Sequence, residues 1–423
     1  MMPVSRVDKF KGGSSRSRDL YGWLLVAVCG LASLTDGFDT QAIAYAAPTM
    51  SSQLGIAPSW LGSIFGAGLF GGLFGALPAP YLERHIGRKL TLIICLLWFS
   101  VTSAATSVAN SIEYLMALRF LAGLGLGTAI PLLFAIATDA VPQTKRARAL
   151  SVVIFGIPAG GFVAGIVGAA VIPVFGWRSI FWIGTVLPLV VLFLYLILPQ
   201  SAAGEQERAK EEFASARATK KESNPFASLF RNGRAFGTII ILLTTSLSVC
   251  LAYTLSNWTP MLLHQIGMTQ TDAAIAGSVM NGGAAIAILL FGFALDRLDA
   301  VKVIASCYVL GGILLITLGT PSISHQLLLA IILGVGVCAI GTQFGVTHIM
   351  SSRVGPEDRV AALSAGLVFS RIGAVIGPVV AGLLLQEGHS PAFVFAFIAG
   401  IAFAAACGVA LMGRRRQPTP QTT

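Results

Sequence analysis

Two carboxylates lie near the middle of the first long apolar stretch of the chain. Asp36 and Asp39 follow its start at residue 22 by 14 and 17 positions, and the stretch (22–48) is 27 residues long. Residues i and i+3 share one face of a helix. Desolvation and mutual repulsion at such a depth favour the protonated form of at least one carboxyl. The pair is therefore predicted to exchange protons, the alternative being internal bonding to Thr35, Thr40 or the backbone.

Two arginines are also predicted to lie near the middle of long apolar stretches. Of the 28 Lys and Arg residues, only Arg119 and Arg371 fall inside apolar stretches. An intramembrane arginine is costly and indicates a functional site, and a planar guanidinium suits bidentate binding of a carboxylate. We assign Arg371 to an anionic substrate and Arg119 to proton coupling with Asp36 and Asp39, with Arg119 the next candidate for binding the anion. A structural Arg371, neutralised by a protein carboxylate, is the alternative.

Aromatic and amide side chains supply further candidates for substrate binding. Flat rings can wall a planar ligand, while amide and phenol groups can bind a ring hydroxyl. The residues of these types that we predict to face the same site are Tyr253, Asn257, Trp258 and Gln343, with Asn281 a weaker candidate. His348, by contrast, is interpreted as a helix-packing residue.

The composition identifies the environment. Of the 423 residues, 55% are hydrophobic and 11% are charged, and the mean hydropathy is +0.81. Soluble domains carry about 25% charged residues, so an integral membrane protein is predicted. The six cysteines lie in apolar stretches without a C-x-x-C pair, so neither a metal site nor a cofactor is expected. The net charge of +10 resides in short loops, which argues against nucleic acid.

Twelve apolar runs are long enough to span a bilayer. Their connecting loops and the tails carry 25 of the Lys and Arg residues on one side and only Arg178 on the other. The positive-inside rule then places both termini in the cytoplasm. The predicted spans are 22–48, 60–82, 90–108, 114–138, 149–173, 178–198, 236–263, 273–295, 303–319, 326–350, 361–386 and 391–412.

The spans divide into two equal halves. Six spans lie on each side of one long polar stretch, which indicates an internal duplication. The predicted organisation is an N-terminal tail (1–21), a six-helix half (22–198), a central cytoplasmic tether (199–235), a second six-helix half (236–412) and a C-terminal tail (413–423).

Charged loops recur at equivalent places in the two halves. The loop between spans 2 and 3 contains Glu83, Arg84 and Arg88, and the loop between spans 8 and 9 contains Asp296 and Arg297. Such charges can cap a helix end and bias which face of a bundle is open. These loops, with Asp139 at the end of span 4, are predicted to gate.

The two loops resemble the G-x-x-x-D-R-x-G-R-K motif of the major facilitator superfamily. In the first copy, Arg84 occupies the aspartate position and Glu83 precedes it, whereas Asp296 fits the second copy. Span 4, which reads RFLAGLGLG from Arg119, is similar to the superfamily's R-x-x-x-G-x-G-x-G pattern. The resemblance implies a twelve-helix, all-α transporter rather than an enzyme.

The sequence DGFDTQA, which starts at Asp36, resembles the aromatic acid:proton symporter family. Span 11 resembles that family's G-R-x-G segment around Arg371, with Ser370 in place of the usual glycine. The resemblance implies import of a small aromatic carboxylate with protons across a bacterial inner membrane, by a protein expected to be monomeric. A transporter of another organic anion or a drug is the first alternative, and a membrane receptor is a remote one.

Overall fold

The computed structural model describes residues 15–198, 235–319, 324–353 and 359–414. Within these ranges the regular structure is helical, and twelve helices are long and apolar enough to cross a membrane. This confirms the predicted all-α membrane fold. The first six are α1 (Ser15–Leu54), α2 (Pro58–Ala76), α3 (Ala79–Ser107), α4 (Ile112–Asp139), α5 (Arg146–Phe175) and α6 (Arg178–Ile197).

The second six helices follow the stretch predicted as a tether, which lies outside the described residues except for Ala235. They are α7 (Ala235–Gln265), α8 (Gln270–Arg297), α9 (Ala300–Leu318), α10, α11 (Arg359–Gln386) and α12 (Pro391–Arg414). Three consecutive parts form α10, namely the helix His325–Val335, the π-helical turn Gly336–Ile340 and the helix Thr342–Arg353. The π-helical turn is absent from the sequence-based prediction.

The charged stretch between α2 and α3 differs from the predicted loop. Helix α2 ends at Ala76, and helical structure resumes at Ala79, well before residue 90. Gly87 interrupts this helix with φ 81° and ψ 156°, a conformation that side chains with a Cβ rarely adopt. The segment Ala79–Ile86 is therefore a separate helical arm that carries Glu83. It was predicted as a loop because of its charged residues.

Glycines bring helices of the same half into backbone contact. A Cβ on Gly123 of α4 would lie 2.0 Å from the Gly68 oxygen of α2. A Cβ on Gly37 of α1 would lie 1.9 Å from the Ile157 oxygen of α5. Neither pair has room for a methyl group, which explains the glycine-rich pattern of these helices as packing.

The two halves meet closely at one end of the bundle. We call the end with the Lys- and Arg-bearing loops the basic end and the other the arginine-poor end. Near the arginine-poor end, a Cβ on Gly62 of α2 would lie 2.6 Å from the Pro378 oxygen of α11. The Gln270 amide of α8 donates a hydrogen bond to the Tyr45 oxygen of α1 at 2.7 Å. The halves are thus closed against each other on this side.

Candidate functional site

A cavity of about 270 Å³ lies between the two halves. It is just below the range of roughly 300–1,000 Å³ that is usual for small-molecule sites. Helices α1, α2, α4 and α5 line it from the first half, and α7, α8, α10 and α11 line it from the second. Thr347, a lining residue of α10 toward the basic end, is exposed. The cavity is therefore open toward the basic end and closed at the arginine-poor end.

Most of the predicted site residues line this cavity. They are Asp36, Asp39, Arg119, Tyr253, Asn257, Gln343 and Arg371. Trp258 does not line it. That side chain is completely buried, its Nε1 donates to the Pro378 oxygen of α11 at 2.9 Å, and its ring makes an edge contact with Phe65. Trp258 therefore joins α7 to α11 behind the cavity wall, which corrects its predicted place in the binding site.

Asp39 forms a buried ion pair with Arg119. The Nη1 atom of Arg119 lies 2.8 Å from Oδ2 of Asp39, and the two side chains are only 4% and 2% exposed. The second nitrogen, Nη2, donates to the Thr106 hydroxyl at 2.8 Å. Ser103 donates to Oδ1 of Asp39 at 3.3 Å. This cluster joins α1, α3 and α4 and lies entirely within the first half.

The ring of Phe181 from α6 covers this cluster. The Cζ atom of Arg119 lies 5.3 Å from the ring centroid, within the range of a cation–π contact. Among the described residues, no acceptor reaches Nε of Arg119. The sequence-based analysis missed Ser103 and Thr106, although their i, i+3 spacing in an apolar helix places both hydroxyls on one face.

Asp36 has a different environment from Asp39. Its side chain is partly exposed to the cavity, and its Oδ1 accepts a long hydrogen bond of 3.4 Å from Thr40. The positive charge of Arg371 acts on it from the opposite half. The two aspartates were predicted to share one face of α1, but they interact with different groups: Asp39 with Arg119 and Asp36 with Thr40 and the charge of Arg371. Positions i and i+3 differ enough in direction to face different neighbouring helices.

Arg371 reaches from α11 toward the first half. A Cβ on Gly72 of α2 would lie 3.4 Å from its Nη1, so the guanidinium lies against α2 at the wall of the cavity. Among the residues the structure describes, no hydrogen bond or ion pair within 4 Å holds it. Its donors face the cavity beside Asp36 and Tyr253. A fork of unused donors in an apolar cavity can bind an anion.

The amide candidates occupy the surrounding wall. Asn257 uses its Nδ2 to donate to the Tyr253 oxygen at 2.8 Å, one turn earlier in α7. Gln343 follows the π-helical turn of α10 and is partly exposed to the cavity. Asn281 of α8 and Gln41 of α1 also line the cavity. The sequence-based analysis did not single out Gln41.

A network of charges lies at the basic end of the first half. Arg88 donates to Glu83 through Nε and lies 2.6 Å from Oδ2 of Asp139 through Nη1. Arg146 lies 3.7 Å from the other Asp139 oxygen. The network therefore ties the Ala79–Ile86 arm to α3, α4 and α5.

Glu83 supplies the carboxylate that the atypical first loop lacks at the motif's aspartate position. In the second copy Arg297 is exposed, while the side chain of Asp296 lies outside the described part of the chain. The gating role of both copies remains a prediction.

Comparison with known proteins identifies the family. The sequence profile of the Major Facilitator Superfamily matches residues 29–280 and 245–423. The chain belongs to the major facilitator superfamily. It is a membrane transporter and not an enzyme, as the resemblance of its motifs implied.

Curated relatives of this transporter carry aromatic acids. It is 30% identical to a gallate transporter of Pseudomonas putida, over 95% of this chain and 94% of the relative. It is 32% identical to a 3-(3-hydroxy-phenyl)propionate transporter of Escherichia coli strain K12, over 94% of this chain and 96% of the relative.

A solved structure shows the same fold. The nucleoside transporter NupG is 16% identical and covers 93% of this transporter and 99% of its own chain, with a TM-score of 0.72.

Proposed function

We propose that this transporter imports a small aromatic carboxylate together with a proton, across the inner membrane of a bacterium, by alternating access. One observation carries the proposal: the guanidinium of Arg371 faces the cavity without a protein partner within 4 Å among the described residues, beside a carboxylate of the opposite half. The names of the two relatives support an aromatic substrate.

The charges in the cavity explain why a proton must accompany the substrate. When Asp36 is ionised, it attracts Arg371 across the cavity and competes with a substrate carboxylate. Protonation of Asp36 removes the competitor, so that Arg371 can bind both oxygens of the substrate. Either way, one negative and one positive charge face each other. The halves can then close without burying an unpaired charge, which would cost several kcal/mol.

We give the ion pair of Asp39 and Arg119 a different role from that of Asp36 and Arg371. Both residues belong to the first half, so rocking of the halves does not separate them. We assign them to holding α1 against α4, which positions Asp36 three residues earlier. Proton exchange in this proposal takes place at Asp36, with Asp39 and Arg119 supporting it.

The orientation follows from the basic loops. The positive-inside rule places the basic end in the cytoplasm, so the described conformation is open to the cytoplasm, as after substrate release. The ion pairs of Glu83, Arg88 and Asp139 lie at this opening. Because they join only helices of the first half and are formed while this end is open, we assign them to keeping the cytoplasmic end of that half rigid as the halves rock.

Uptake into proteoliposomes tests the proposal. Purified protein is reconstituted, and uptake of radiolabelled 4-hydroxybenzoate is followed with and without an inward proton gradient. We expect gradient-driven accumulation that a proton-conducting ionophore abolishes and that Arg371→Ala lacks. Equal accumulation of substrate with and without the proton gradient would refute proton coupling. Uptake of labelled aliphatic carboxylates without uptake of 4-hydroxybenzoate or benzoate would refute the aromatic substrate class.

A further inference from the structure

Two amides from opposite halves meet on the closed side of the cavity. A Cβ on Gly161 of α5 would lie 2.7 Å from Oδ1 of Asn281 and 3.0 Å from Cγ of Gln41. Glycine at this position therefore leaves space for the amide of Asn281 and for the side-chain methylene of Gln41. Gln41 belongs to the first half and Asn281 to the second, and both line the cavity.

Gln41 has a buried acceptor that no donor in the described part of the chain satisfies. The residue is 7% exposed, and among the described residues no donor reaches its Oε1. A buried acceptor without a partner lowers the stability of the folded protein. Oε1 itself has almost no accessible surface in the described conformation. The side chain nevertheless lines the cavity, and rotation about its last torsion can bring Oε1 to a donor on a bound ligand.

Asn281 presents a second acceptor beside it. Its Nδ2 donates to the Tyr45 hydroxyl at 3.3 Å and to the Gly277 oxygen at 3.0 Å, which uses both of its hydrogens. The Tyr45 hydroxyl in turn donates to the Gly161 oxygen at 2.9 Å. These bonds hold the amide of Asn281 with Oδ1 turned toward Gly161, which the side chain of Gln41 also contacts.

The position of the two amides relative to the charged groups suits a ring substituent. Gln41 lies five residues beyond Asp36 toward the arginine-poor end, which is about 7–8 Å along a helix axis. A ligand whose carboxylate binds Arg371 at the level of Asp36 points its ring and the opposite substituent toward this wall. Two amide oxygens bind a group that donates hydrogens.

We propose that Gln41 and Asn281 form a subsite that binds a hydroxyl on the ring of the substrate. This inference rests on the proposed aromatic carboxylate substrate and names the residues that contact the substituent on its ring. The subsite favours a phenolic hydroxyl over hydrogen, methoxy or a second carboxylate, since none of these donates a hydrogen bond at neutral pH. Because its two amides come from different halves, it is complete only when the arginine-poor end is closed.

Equilibrium binding to the purified, full-length protein tests the subsite. The ligands are benzoate, 3-hydroxybenzoate, 4-hydroxybenzoate and 4-methoxybenzoate, and the variant is Gln41→Met, which keeps the side-chain length. We expect at least one hydroxybenzoate to lose roughly three- to tenfold in affinity, the span of a neutral hydrogen bond. Benzoate and 4-methoxybenzoate should bind the variant as well as wild type or better.

A matched control separates this effect from damage to the closed end. Gln270→Met makes the same exchange in a glutamine that bonds to the Tyr45 oxygen outside the cavity, so it should change all four ligands in proportion. Gln41→Glu provides a second variant of the subsite that retains an acceptor, and it should keep the preference for hydroxyl over methoxy.

Three results have distinct meanings. Selective loss of the hydroxybenzoates in Gln41→Met supports the subsite. An equal loss for all ligands, or no loss, overturns it while the proposed function stands. If none of the four acids binds to the wild-type protein, the proposed function itself is overturned.

Discussion

The buried pair of Asp39 and Arg119 should make Asp39→Asn far more damaging to stability than Asp36→Asn. Removing the charge of Asp39 leaves a guanidinium that is 4% exposed without a counter-ion. Loss of one partner of a buried pair costs about 3–5 kcal/mol. Because asparagine can still accept a hydrogen bond from Arg119, we expect about 3 kcal/mol. Asp36 is partly exposed and has one long hydrogen bond, so Asp36→Asn should cost less than about 1 kcal/mol.

Thermal unfolding of the purified protein in detergent, followed by tryptophan fluorescence, gives the order of stability. The double variant Asp39→Asn/Arg119→Gln removes both charges and should recover more than half of the loss, since a buried pair replaced as a unit is often neutral. Equal melting of Asp39→Asn and Asp36→Asn would refute the reasoning. So would a double variant that is less stable than either single one.

Three further outcomes are expected. Asp36→Asn should retain substrate exchange across the membrane but lose accumulation driven by a proton gradient, which paired exchange and uptake assays measure. Arg371→Lys should weaken binding of a benzoate ligand nearly as much as Arg371→Ala, by roughly tenfold to a hundredfold in equilibrium binding, because an ammonium does not reproduce the bidentate fork. Arg88→Gln, which breaks the contacts to Glu83 and Asp139, should slow turnover with little change in substrate affinity, and a large affinity change at constant turnover would contradict it.

The elements of the fold could be predicted because hydropathy and charge report on the bilayer directly. Each apolar stretch must span about 30 Å, so the spans agree with the structure within a few residues at most boundaries. The start of α3 could not be predicted in this way. Glu83 and Arg84 made its first turns resemble a loop, whereas the break at Gly87 depends on backbone geometry that hydropathy does not report.

The site could be predicted only in part. The type of a residue shows that burying it in the membrane is costly, but it does not show which residues it contacts. The mid-depth positions of Asp36 and Arg371 were enough to place both in the cavity. The pairing of Asp39 with Arg119 joins residues 80 positions apart, and only the packing of α1 against α4 brings them together. Trp258 shows the converse, since an aromatic residue next to polar neighbours was assigned to the site while its ring packs behind the wall.

The placement of Asp36 and Arg371 on opposite halves has an electrical consequence. In the proposed cycle the empty cavity holds one ionised carboxylate and one guanidinium, and the loaded cavity holds a neutral Asp36, the guanidinium and the substrate anion. Neither form carries net charge, so neither reorientation moves charge through the membrane field. The membrane potential, worth about 2.3 kcal/mol per charge for each 100 mV, then does no work on the cycle. Each unit of pH difference sustains at most a tenfold concentration ratio of the acid, about 1.4 kcal/mol.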